Sequence, residues 1–177
     1  MKASFNSHRP LGLTASVKAL AVSALTVALL ALPAAAMAAD QVELKTASFK
    51  DVTKTGPDGK KVVVREPISK AAPGTEIIYV ITYHNTSAGD VADVKVQNGV
   101  PKGLIFKVGS AEGAGTNIDY SVDGGQHFGA LDTLKVTAPD GTTHLARGED
   151  VTTIRWTLSA PLKGAAEGSV SYRALLP

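Results

Sequence analysis

The chain has 177 residues with no cysteine, 44% hydrophobic and 19% charged residues, and only nine aromatics. That composition is globular, too apolar and too weakly charged for disorder. The missing cysteine excludes a disulfide scaffold, a zinc finger, an iron–sulfur site and a thiol nucleophile.

Residues 1–38 read as a cleaved signal peptide. Lys2, Arg9 and Lys18 form a positive n-region, no acid precedes Asp40, and Ala19–Leu32 is an apolar run of 14 residues. Ala36-Met37-Ala38 fits the small-residue cleavage pattern, so the expected cut lies between Ala38 and Ala39. A spanning helix needs about 20 apolar residues, and the run is too short for a membrane anchor. No cysteine follows it to carry a lipid. Removing the leader takes three basic and no acidic residues, leaving fifteen against sixteen and a net charge of −1. Such a balance gives no reason to expect nucleic acid or an anionic membrane as partner. The expectation is an exported protein, periplasmic or at the cell surface, with residues 39–177 as its single domain.

In chain order, period-two alternation predicts strands over Val42–Phe49, Lys61–Glu66, Thr75–Asn85, Val91–Gln97, Leu104–Val108, Ile118–Val122, Leu134–Thr137 and Thr143–Arg147. Two more follow, where Ile154, Trp156 and Leu158 alternate with polar neighbours and where Val170, Tyr172 and Ala174 do the same. The strongest run sets Ile77, Tyr79, Ile81 and Tyr83 against Ile78, Val80, Thr82 and His84. Pro57-Asp58-Gly59, Pro139-Asp140-Gly141 and Asp123-Gly124-Gly125 mark turns, because Asp tolerates left-handed backbone and Gly adopts it freely. Gly109 to Gly115 is glycine-rich with no helix behind it, and reads as a flexible loop. No stretch holds a 3.6-residue stripe. Many short strands between turns predict an all-β, antiparallel sandwich with Trp156 and Tyr79 in its interior.

Several ordered motifs resemble the bacterial conserved-repeat domain family, the "domain of unknown function eleven". Gly74-Thr-Glu-Ile-Ile-Tyr79-Val-Ile81-Thr-Tyr83-His-Asn85 resembles its first signature strand, and Val91 to Leu104, through Asn98-Gly-Val-Pro101-Lys-Gly103, its second. Ile154-Arg-Trp156-Thr-Leu158 and Gly168 to Arg173 resemble its closing strands. Two positions depart from the signatures: Glu76 follows Thr75 where Asp usually comes directly after Gly, and Asn98 stands where Asp is usual before the Pro. The resemblance implies an immunoglobulin-like β-sandwich on an exported protein, without catalysis. Tyr79, Pro101 and Trp156 are expected in structural roles, and Asn85, at the end of its strand, should bond loop backbone, consistent with the Asn of the resembled family.

Ser121-Val-Asp123-Gly-Gly125-Gln-His127-Phe128 looks like an Asp-box, with His127 where Thr is usual. In that motif Ser and Asp bond the turn backbone and the aromatic packs beneath, so Ser121, Asp123 and Gly125 are expected to staple a turn. Asp119-Tyr-Ser121-Val-Asp123-Gly124 also mimics the opening of a calcium loop. The required glutamate at its twelfth position is replaced by Ala130, so Asp119, Ser121 and Asp123 are weak calcium candidates, as are Asp90 and Asp93. Strand alternation would set Asp119, Ser121 and Asp123 on one solvated face. His84, His127 and His144 lack metal-ligand spacing, and no Gly-x-Ser-x-Gly elbow is present. No catalytic residue and no cofactor is expected.

The function expected is a non-enzymatic structural, adhesion or envelope module with a protein partner or itself as partner. One concrete form is self-assembly by strand addition, with Asp40–Phe49 detaching to complete a neighbour. The simpler expectation is that this segment pairs within its own domain. The alternative function is a carbohydrate-binding accessory or exported hydrolase using the Asp-box-like hairpin.

Overall fold

Alternating β-branched and apolar residues become eleven strands in the computed structural model, which describes residues 41–177. The expected leader and its Ala38–Ala39 cut lie outside the described residues. The strands are β1 (Val42–Thr55), β2 (Lys61–Pro67), β3 (Glu76–Asn85), β4 (Lys95–Gly99), β5 (Ile105–Phe106), β6 (Glu112–Gly113), β7 (Thr116–Ser121), β8 (Lys135–Thr137), β9 (Thr143–Leu145), β10 (Thr153–Leu158) and β11 (Glu167–Leu175). One sheet runs β2-β1-β3-β11-β5, with β6 also beside β11; a second runs β4-β10-β7; β8 and β9 form a separate hairpin. Every pairing is antiparallel. The fold is an all-β antiparallel sandwich.

Its core lies between the first two sheets. Ile81 and Tyr83 of β3 and Val170, Tyr172 and Ala174 of β11 face Val96, Ile154 and Trp156 of the second sheet. The Trp156 and Tyr172 rings bridge the layers with centroids 6.2 Å apart, and Phe106 leans on Tyr120 at 5.4 Å. Trp156 is fully buried as its alternation predicts. Tyr79 is only half-buried, short of the interior place expected for it; it stacks on Tyr172 at 4.9 Å and 12°.

Several elements differ from expectation. The segment Gly109–Gly115 is not merely a loop. Gly113 pairs with Val170 in β6, where a Cβ would lie 2.8 Å from Val170 Cγ1 and 2.9 Å from Trp156 Cδ1, so glycine is there for close packing. The strand expected from Val91 begins at Lys95, because Asp93 takes a left-handed φ of 54° and interrupts it. Val91 instead bridges to Leu162 alone.

The first strand is longer than its apolar alternation, running six residues past Phe49. It pairs with β3 from Val42↔Asn85 to Phe49↔Ile78, and with β2 from Phe49↔Pro67 to Thr55↔Lys61. Lys50–Pro67 is therefore a two-stranded ribbon reaching about 20 Å beyond the β3 pairing. Gly59, at φ 75°, closes its tip in the Pro57-Asp58-Gly59 turn. Asp51 anchors its base, accepting from Arg65 Nε at 3.0 Å and Arg173 Nη1 at 3.4 Å. Glu76 accepts from Arg173 at 2.7 Å and Lys107 at 2.6 Å. The Arg65 hydrogen bond, helped by Arg173, holds the Asp51 carboxyl below the usual range, and Lys107 and Arg173 do so for Glu76.

Within the single chain, Val42–Phe49 pairs with β3 and so completes its own sheet, the simpler of the two expected arrangements.

Candidate functional site

The Asp-box-like turn closes where β7 ends, with Tyr120 and Gly129 exchanging backbone hydrogen bonds of 2.9 and 3.0 Å. Ser121 Oγ donates to Asp123 Oδ1 at 2.7 Å and accepts from Gly125 N at 2.9 Å. Asp123 Oδ1 also accepts from Gln126 N and His127 N, both at 3.0 Å, and His127 Nδ1 lies 2.6 Å from Oδ2. Gly124 and Gly125 supply the left-handed backbone at φ 78° and 91°. Phe128 packs beneath the Arg155 guanidinium, 4.1 Å from its ring centroid, and Arg155 Nη2 donates to Asp119 Oδ2 at 2.8 Å.

This geometry corrects one expectation. Asp119, Ser121 and Asp123 do not share a solvated face, because the turn folds back over Ser121 and buries it completely. Asp119 is held by Arg155, and Asp90 by Lys163 at 2.7 Å. Among the described residues no three His, Asp or Glu side chains are placed to hold a metal ion. Ser121, Asp123 and His127 are neighbours, but the serine hydroxyl is directed to the carboxylate and is shut away from solvent. A nucleophile must reach a substrate, and the buried Ser121 hydroxyl does not.

The backbone N–H of His127, then Ser121 Oγ and the His127 ring, hold the Asp123 carboxyl far below its ordinary value. A group depressed in the folded state stabilises it above the unfolded value near 3.9, and that contribution fades as pH falls through the folded value. The turn should therefore stay closed through pH 4 and open only in stronger acid. In Asp123→Ala, amide exchange by NMR should quicken at Gln126 and His127, with a modest fall in Tm. Unchanged exchange there would remove the staple role.

Asn85, fully buried at the end of β3, ties two loops. Its Nδ2 donates to Gly89 O at 2.8 Å, Lys163 O at 3.0 Å and Leu162 O at 3.1 Å. Its Oδ1 accepts from Ser87 N at 2.9 Å and Ser87 Oγ at 2.7 Å. A second, part-buried polar contact, not expected from sequence, joins Asn98 Nδ2 to Tyr172 Oη at 2.9 Å. Its signal was an amide continuing the inward alternation of Val94 and Val96. Burial pushes the Tyr172 phenol up, so it donates onward to Gly99 O at 3.2 Å. Pro101 O accepts from Leu104 N at 3.1 Å, closing the turn beyond β4. His84 faces away from buried Tyr83, between Glu43 of β1 and Glu167 of β11. His144 Nδ1 lies 2.9 Å from Leu145 O.

The open apolar site is a groove. The second sheet has three strands against six in the first, so β1 overhangs it. Val42 and Leu44 lie on the inward face, opposite Asn85 and Tyr83, yet Leu44 remains 47% exposed. A cavity of about 340 Å³ runs between them and Val91, Val94 and Lys95 at the margin of β4. No family model matches the chain, and neither a curated protein nor a solved structure matches it.

Proposed function

We propose that the protein is an exported, immunoglobulin-like structural or adhesion module of the cell envelope or its matrix, acting through sheet edges and not through bond chemistry. The observation that carries this reading is the groove beside β4. Among the described residues an apolar face of one sheet lies open next to an unpaired strand edge of the other, the combination that β-strand addition uses. Main-chain hydrogen bonds supply affinity there, and alternate side-chain pockets supply selectivity. The leader-like residues 1–38 and the motif resemblance support export and the domain type. The glycan-binding and hydrolase readings draw less support, because the Ser121 and Asp123 oxygens are spent within their own turn.

Fractionating cells that express the full chain tests the reading. Intact mass should start at Ala39, and the protein should be retained with the envelope or matrix. Recovery inside cells with residues 1–38 attached would overturn export. Recovery solely as free monomer in the medium would overturn the structural role.

A further inference from the structure

Two unfilled features of this chain fit each other. The first is the outer edge of β4. Leu158 N donates to Val94 O at 3.0 Å and Val100 N to Thr152 O at 2.9 Å, so antiparallel alternation turns the N–H and C=O of Lys95 and Gln97 away from β10. Among the described residues no strand pairs with that edge. The second is the outer edge of β2. Ile68 N donates to Ser48 O at 3.0 Å and Gly56 N to Lys60 O at 2.8 Å, which by the same alternation turns Lys61, Val63 and Arg65 to the free side. An exposed apolar edge invites pairing with another chain, and Val63 is 68% exposed.

We propose that the Lys50–Pro67 ribbon of one copy adds its β2 edge, antiparallel, to the β4 edge of a second copy and covers the groove beside Leu44. This rests on the edge-pairing reading above and names its partner. Both free edges present odd-numbered residues, so an antiparallel ladder joins odd to odd and places even-numbered side chains on one shared face. Val62 and Val64 then stand beside Val94 and Val96, over Leu44. A parallel ladder would turn Lys61 and Arg65 inward instead. Hydrogen bonding and apolar burial therefore select the same orientation. In the register that sets Arg65 across from Asp93, it avoids Lys95.

The occupant is a second copy because the ribbon cannot reach its own groove. Leu44 and Lys54, which faces Val62, are ten residues apart on one continuous strand, about 33 Å. Donor and acceptor are different surfaces, so the contact is head-to-tail and propagates from copy to copy, as an open filament unless the rotation closes a ring.

Proline is tolerated at an edge position whose N–H faces outward, so Val63→Pro blocks the donor and Gln97→Pro the acceptor. The full chain and both variants are compared by sedimentation velocity over a concentration series, with circular dichroism and Tm confirming the fold. The unaltered protein should polymerise, each variant alone should remain monomeric, and their mixture should stop at a dimer. If either proline variant fails to fold, Val62→Lys with Val64→Lys replaces the donor block and Lys95→Pro the acceptor block. A monomeric unaltered protein overturns the inference, including the case where residues ahead of Gln41 fill the groove and protect the Lys95 and Gln97 amides from exchange. Polymers that survive both variants also overturn it, while leaving self-association through another surface. Variants that lose assembly but give no dimer on mixing would indicate a symmetric contact and overturn it as well.

Discussion

Trp156→Ala is expected to lower stability by about 3–5 kcal/mol, the cost of removing a fully buried aromatic and leaving a cavity. Against a typical total of about 5–15 kcal/mol, that leaves the fold marginal. The loss is large because Trp156 is the keystone between layers, touching the Tyr172 ring side, lying beside the bare backbone of Gly113, and paired across strands with Val96 and Ile118. Trp156→Phe should cost well under half as much. The indole N–H has no acceptor among the described residues, so its removal forfeits no hydrogen bond. Denaturant midpoints for the two variants check this. Equal losses would place the importance of the position in the indole nitrogen and not in volume.

Asn85→Ala should cost about 2–4 kcal/mol, because it strips partners from several part-buried backbone groups at once. Asn85→Asp sharpens the test. A carboxylate can still accept from Ser87 but cannot donate to Gly89, Leu162 and Lys163, and it sets a charge against three carbonyl oxygens. It should therefore be no better than alanine. Amide exchange should rise at Ser87, Ala165 and Leu162, the loops that Asn85 joins, before it rises in β3. A near-neutral Asn85→Asp would show that accepting from Ser87 is the whole role.

The two positions also mark how much of the molecule is legible in its residues. Strands buried on one face declare themselves, since Ile154, Trp156 and Leu158 must alternate with solvent-facing residues to fill a core. Asn85 is legible through the motif it ends, and the turn of Ser121, Asp123 and Gly125 through its side-chain hydrogen bonds. The second half of β1 is not. Among the described residues no second layer covers Lys50-Asp-Val-Thr-Lys-Thr55, so no apolar alternation is selected, and pairing with β2 makes it a strand. Burial of Ser121 was hidden for a related reason: the cover comes from a turn folding back on its own strand, which period-two logic does not contain. Gly113 looked like loop flexibility because glycine serves both freedom and close approach, and only the neighbouring Trp156 distinguishes them. The groove beside Leu44 was out of reach too, since it depends on how many strands each sheet holds.

Because β1 passes from the ribbon into the sheet without a break, the ribbon has no hinge at its root. A pull on its tip travels along one covalent backbone into the eight residue pairs that β1 makes with β3. Those hydrogen bonds lie across the direction of force and are loaded in shear, so they must yield together and not one after another. The same strand that extends the fold outward is thus also its tether against tension.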